Sequence, residues 1–250
     1  MQEDKLRGIK LRGTEILSIE KQELETIILR TGRESQGSFE LVRIETSRGR
    51  IDSKFYNAGE TDKGVILVGG VGGGFESPAD SLYPRLMEYF KGIGISSLNL
   101  KLRNPNNLAE SVIDVLVGLE FLKSENIKVF GLIGYSFGGA VVVQAAFNEK
   151  NVKTLVLIST QSKGISPISF LPEDTSVFII HGEEDEKIPP GVAVYVYEEA
   201  HEPKRIEIFD TKATHKLDEV ADEIYEEVKD WITKYLINEP EKREKKTNIE

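Results

Sequence analysis

Between residues 129 and 148 the sequence passes from one apolar element to another with no room for a loop. Val129-Phe130-Gly131-Leu132-Ile133-Gly134 is a short apolar run, as expected of a strand covered on both faces. Phe137 to Asn148, carrying Ala140-Val141-Val142-Val143 and Ala145-Ala146, reads as a helix. The join is Gly134-Tyr135-Ser136-Phe137-Gly138. A strand that turns straight into a helix holds its central residue in a strained backbone conformation. The glycines at 134 and 138 let the neighbouring chains approach closely. The Ser136 hydroxyl is thereby thrust above the end of the strand. The helix start adds free N–H groups and the positive end of its dipole. Such a point favours a developing oxyanion, and the Phe137 N–H is its natural first donor.

The rest of the chain supplies a frame for this turn. Leu24 to Leu29 and Ser38 to Thr46 read as strands, and Ser47-Arg48-Gly49-Arg50 is a turn into a strand through Ile51 and Phe55, giving an antiparallel hairpin. From Val65-Ile66-Leu67-Val68 onward the pattern alternates. Strands are expected at 65–68, 93–100, 129–134, 152–158, 177–180 and 205–209. Helices are expected over 81–91, 106–123, 137–148, 191–200 and 216–236, the last with Leu217, Val220, Ile224, Val228, Trp231, Ile232 and Tyr235 on one face. This alternation predicts an α/β fold: a mostly parallel sheet, an antiparallel N-terminal hairpin at its edge, and helices on both faces. Three regions are expected. They are an N-terminal extension over 1–37 with possible extra strands, a catalytic domain over 38–237, and a charged flexible tail over 238–250. The longest loop with turn residues is 161–174, carrying Gly164, Pro167 and Pro172.

A serine nucleophile needs a base, and the base needs an orienting acid. The chain has no cysteine and only three histidines, so few residues compete for each role. Asp185 lies in an acidic loop after the strand that ends near His181, where sites of open α/β sheets fall. Glu183, Glu184 and Glu186 are its rivals. His215 follows the last strand and precedes the closing helix, and it is the only histidine in the order Ser–Asp–His. His181 reads as a structural residue framing the acid loop, and His201 as a solvated one.

Composition removes other classes. With 32 Lys+Arg against 42 Asp+Glu, the net charge of −10 disfavours nucleic acid or an anionic membrane surface as the main partner. The absence of cysteine excludes disulfides and thiolate chemistry. Met1 to Gly13 is charged and unlike a signal peptide, and the longest apolar stretches are too short and glycine-rich to span a bilayer. These features predict a cytoplasmic protein with no membrane span. The glycine-rich run Val68-Gly69-Gly70-Val71-Gly72-Gly73-Gly74-Phe75 lacks the Gly-Lys-Ser/Thr ending of a phosphate loop, since Glu76-Ser77 follows.

Three separated segments, Gly-Tyr-Ser-Phe-Gly-Gly at 134–139, His-Gly-Glu-Glu-Asp-Glu-Lys-Ile-Pro at 181–189 and Ala-Thr-His at 213–215, resemble the α/β-hydrolase superfamily. The likeness covers about residues 38 to 236, and the short lid region, 161–174, looks most like the dienelactone-hydrolase and small acyl-hydrolase branches. It implies a serine hydrolase of carboxylesterase type, with Ser136 as nucleophile, Asp185 as orienting acid and His215 as general base. It also implies an oxyanion hole from the N–H groups of Phe137 and Val71, with Gly72 as the alternative to Val71. Members commonly carry His-Gly where this chain has Gly69-Gly70. No metal or organic cofactor is expected, and the expected partner is a small-molecule acyl substrate. The rival readings are thioesterase, peptidase, acyltransferase or cofactor-free peroxidase chemistry on the same residues, and a catalytically silent scaffold used for binding. The oligomeric state is open.

Overall fold

The computed structural model describes residues 5–17, 20–210 and 212–238. Ten strands among the described residues form one sheet: β1 (Lys10–Leu17), β2 (Glu20–Gln36), β3 (Phe39–Thr46), β4 (Gly49–Tyr56), β5 (Lys63–Val68), β6 (Ser96–Lys101), β7 (Val129–Tyr135), β8 (Val152–Ile158), β9 (Ser176–Gly182) and β10 (Lys204–Phe209). Their spatial order is β1-β2-β3-β4-β6-β5-β7-β8-β9-β10. Pairs from β1 through β4 to β6 are antiparallel, and those from β6 through β5 to β10 are parallel.

The helices α1 (Pro78–Gly92), α2 (Leu108–Ser124), α3 (Phe137–Asn148), α4 (Gly191–Glu199) and α5 (Ala221–Leu236) cover the sheet on two sides. One apolar layer gathers α2, α3 and α4 with Leu6 and Ile28. The other gathers α1 and α5, with Phe178 and Trp231 among its members. Both layers are needed because β5, β7, β8 and β9 are buried on both faces. The buried Trp231 indole donates to Thr154 Oγ1 at 2.9 Å, so its N–H finds a partner inside the core. The chain leaves β5 through α1 to β6 on one side, then returns through α2 to β7 on the other. The carboxyl ends of β5 and β7 therefore lie at a topological switch point, the usual place for a site in such a sheet.

The expected hairpin is β3–β4, and β1 and β2 extend it, so the antiparallel part has four strands. β1 packs against α2 and α3. Two sequence expectations change. The stretch Arg30 to Gln36 belongs to β2 although its residues are polar, because most of them remain exposed while the backbone pairs with β3. The closing helix starts at Ala221, not Lys216. Leu217 takes a left-handed conformation (φ 62), Asp218–Val220 form one 3₁₀ turn, and the Lys216 carbonyl accepts the Ala79 N–H at 2.8 Å. Leu217 and Val220 are still buried, so they join the core from a turn and not from the helix. All of the expected tail but Asn238 lies outside the described residues.

Candidate active site

Ser136 occupies the single residue between β7 and α3, with φ 54 and ψ −118. This is a left-handed region that a serine adopts only where its surroundings enforce it. Its N–H donates to the Ile158 carbonyl on β8 at 2.8 Å, and its carbonyl accepts the Gly139 N–H at 3.1 Å. Three glycines make the turn possible by close approach. A side chain at Gly134 would strike the Gly138 backbone, and one at Gly139 would strike Thr160. One at Gly138 would lie 2.5 Å from the Gly69 carbonyl oxygen and 2.6 Å from that of Val68. The last contact matters most, because it seats the start of α3 directly under the glycine-rich loop. Phe137, at the first turn of α3, keeps an N–H that has no acceptor within the helix.

His215 and Asp185 come to Ser136 from two other strand ends. His215 Nε2 is 3.1 Å from Ser136 Oγ, and His215 Nδ1 is 2.8 Å from Asp185 Oδ2. An ionised carboxylate only accepts, so Nδ1 carries the proton and Nε2 is left to accept from the serine hydroxyl. The two loops that carry these residues are tied together. The Glu183 N–H donates to the Phe209 carbonyl at 2.9 Å and the Glu184 N–H to the Ala213 carbonyl at 3.1 Å. Gly182 allows this, since a side chain there would strike the Ala213 carbonyl. His215 is further held by its own N–H on Glu186 Oε2 at 3.1 Å, by Ser159 Oγ on its carbonyl at 3.0 Å, and by the tilted ring of Tyr135 at 5.2 Å.

The structure separates Asp185 from its rivals. Asp185 is buried, and its Oδ1 accepts the N–H groups of Lys187 at 2.9 Å and Ile188 at 2.8 Å. Glu183 and Glu184 contribute backbone to the tie between loops. Glu186 points its carboxylate at the His215 N–H, a bond that holds its carboxyl below the usual range. His181 is fully buried, with Nε2 2.8 Å from the Ile188 carbonyl and 3.1 Å from Asp185 Oδ2. It therefore touches the acid itself, a contact that its sequence position did not reveal. Burial lowers its pKa, so the ring stays neutral and offers one N–H between two oxygens. His201 sits elsewhere, with Nε2 2.7 Å from the Ser169 carbonyl.

The glycine-rich run forms the opposite wall. Gly70 is the loop residue next to the serine: a side chain there would lie 3.2 Å from Ser136 Cβ. The Gly73 N–H turns back to the Gly70 carbonyl at 3.4 Å, which leaves Val71 and Gly72 at the tip, with Val71 53% exposed. Sequence reasoning passed over Glu76, whose side chain folds back over Gly70 and Gly72. Its signal was a single acid closing a run of glycines. The 161–174 loop packs down on α3, with Ile165, Ile168 and Leu171 buried and the Gln144 amide donating to the Gly164 carbonyl at 2.7 Å. Among the described residues no helix is long and apolar enough to cross a membrane, and no group of three or more His, Cys, Asp or Glu is placed to hold a metal ion.

This architecture is the α/β-hydrolase fold. The chain resembles a dienelactone hydrolase from Anabaena variabilis with a TM-score of 0.68 at 16% identity, over 82% of this chain and 99% of that one. It also resembles Est1E from Butyrivibrio proteoclasticus (TM-score 0.66, 18% identity, 78% of this chain and 98% of that one). A third similar structure is an esterase from Pyrococcus furiosus (TM-score 0.63, 16% identity, 84% and 98%). No protein-family model and no curated protein matches the sequence.

Proposed function

We propose that this protein is a serine hydrolase that cleaves an ester or related acyl bond through an acyl-enzyme. One observation carries the reading: an unbroken hydrogen-bond path from Ser136 Oγ through His215 to Asp185, with the serine in a strained turn at the switch point of the sheet. Ser136 Oγ attacks the carbonyl carbon while its proton passes to His215 Nε2. Asp185 fixes the imidazole tautomer and stabilises the imidazolium that forms. The N–H groups of Phe137 and Val71 hold the oxyanion, with Gly72 the alternative to Val71. His215 then gives the proton to the leaving group. Water, deprotonated by the same nitrogen, attacks the acyl-serine and frees the acid. The similar solved structures include an esterase from Pyrococcus furiosus and a dienelactone hydrolase, which agrees with a small acyl substrate.

The test is covalent labelling with a neutral fluorophosphonate, followed by peptide mapping. Label is expected on Ser136 and is expected to be lost in His215→Ala. Ser136→Ala should lower ester turnover by several orders of magnitude, on the order of 10⁶ for a triad nucleophile. Full esterase activity in Ser136→Ala, or no labelling of native protein from neutral to mildly alkaline pH, would favour a silent binding scaffold instead.

A further inference from the structure

Glu76 puts a carboxylate where an enzyme that makes an oxyanion has least use for one. The loop 69–76 curls back on itself, so that a side chain at Gly69 would lie 3.0 Å from Glu76 Cβ. The carboxylate then lies across the loop: 2.6 Å separates Glu76 Oε1 from the position a Gly72 side chain would take, and 3.0 Å separates Oε2 from that of Gly70. The same Gly70 position lies 3.2 Å from Ser136 Cβ. About one methyl group's width therefore separates the acid from the nucleophile's side chain. Three glycines in the loop are what admit the acid at all.

Glu76 Oε2 is buried with no hydrogen-bond partner among the described residues. The charges around it are mostly negative. Asp185, Glu186 and Asp218 are acids that, with Glu76, bear on the buried Tyr135 phenol and, after burial itself, push its pKa up. Lys216 is the cation whose charge reaches Glu76, but its exposed ammonium is hydrogen-bonded to Asp218 Oδ2 at 2.8 Å and closes no bond to Glu76. At a separation of about 6 Å and a surface-like dielectric, a like charge slows formation of an oxyanion on the order of ten- to hundredfold. A buried carboxylate oxygen without a donor adds its own desolvation cost.

A substrate can remove both penalties by bringing a cation on its acyl side. An ammonium on the carbon next to the carbonyl can span the gap from an acyl group on Ser136 to the Glu76 carboxylate, where charge-assisted bonds form at about 2.7–2.9 Å. We infer that this protein prefers α-aminoacyl esters, with the Glu76 carboxylate in the glycine loop binding their ammonium group. The inference rests on Ser136 being the acyl-accepting nucleophile, and it adds a substrate class to that reading.

The test compares two ethyl esters, those of alanine and of 2-methylpropanoic acid, whose acyl parts differ by an ammonium in place of a methyl. At pH 6.5 the α-amino group is charged, its ordinary pKa being about 7.7–8.0. Native protein is expected to favour the alanine ester in kcat/KM by at least tenfold. Glu76→Gln keeps the shape and removes the charge. It is expected to cut that preference at least tenfold, mostly by slowing the alanine ester. A native ratio near one, or the same ratio in folded Glu76→Gln, overturns the inference. A native ratio near one overturns the inference without any variant. Where Glu76→Gln fails to fold, stronger competitive inhibition of the native protein by alaninamide than by 2-methylpropanamide reads the same ammonium contact, free of the activation an α-ammonium gives an ester carbonyl. Equal inhibition overturns the inference. Fluorophosphonate labelling separates the two levels. Labelled Ser136 with a ratio near one sinks only the substrate preference, whereas an unlabelled Ser136 sinks the hydrolase reading and this inference with it.

Discussion

The two walls of the site are built on different principles. The Asp185–His215 wall is held by many bonds: the acid accepts two backbone N–H groups and touches two imidazoles, and the histidine is fixed through its ring, its N–H and its carbonyl. The glycine wall has one 3.4 Å backbone bond across its turn and an exposed tip at Val71. It is shaped by what glycine leaves empty and by one carboxylate folded into that space. In the reaction proposed, a proton relay depends on fixed angles, so extra bonds would serve it. An acyl pocket would have to admit a substrate, so open backbone and a single charge would serve it better. Side chains can be added to the two walls, or removed from them, with opposite expected consequences.

Among changes to the two walls, Asp185→Asn should have the largest effect. The amide presents donors as well as an acceptor and can turn the His215 ring to the wrong tautomer, leaving the packing in place. Turnover is expected to fall on the order of 10⁴-fold, the loss found when a triad acid is amidated. Thermal melting should change far less than turnover. A variant that keeps native kcat would separate the relay geometry from the reaction.

Gly182→Ala and Gly72→Ala test the contrast directly. A methyl at 182 meets the Ala213 backbone, which cannot yield without moving the His215 loop. Overpacking of this kind costs about 1–3 kcal/mol, so Tm should drop by several degrees and turnover should fall with it. A methyl at 72 meets only the end of the Glu76 side chain, which can swing away. Gly72→Ala should therefore leave Tm within about 1–2 °C of native, as surface changes usually do, while shifting substrate preference. Equal destabilisation by the two methyls would show that the glycine loop is as tightly built as the relay.

What the sequence revealed follows the same division. Elements set by local pattern were legible: β8 and α3 have the expected limits because an apolar run bounded by turn residues needs no other information. The convergence of Ser136, Asp185 and His215 was legible through order and spacing, and the role proposed for them rests on it. Features set by contacts between distant segments were not. Leu217 and Val220 sit at helical spacing, yet the Ala79 N–H and a left-handed Leu217 hold that stretch as a turn. The polar second half of β2 has no apolar alternation to mark it, since its exposure leaves its side chains unconstrained. Glu76 and His181 gained their meaning only when folding set one over Gly70 and the other against Asp185.

The smallest expected effect belongs to His181, and it concerns stability against pH. Burial lowers the pKa of this imidazole in the folded protein, while in the unfolded chain it takes its ordinary value near 6.5. As pH falls through about 6.5 the unfolded chain therefore binds the proton first, and stability is lost progressively toward the lower folded pKa. Above about 6.5 both states are neutral and the contribution is complete. Protonation would give the buried Nδ1 an N–H with no acceptor among the described residues, while Nε2 already faces the Ile188 carbonyl and Asp185 Oδ2. His181→Gln cannot titrate. Its unfolding free energy, measured by denaturant melts from pH 5 to 8, should be lower than native at pH 8, because the contacts to Ile188 and Asp185 are imperfectly replaced. Its pH slope below 6.5 should be shallower than native. An unchanged slope would show that the proton is taken up elsewhere and that the acid wall is less dependent on a neutral His181 than its contacts indicate.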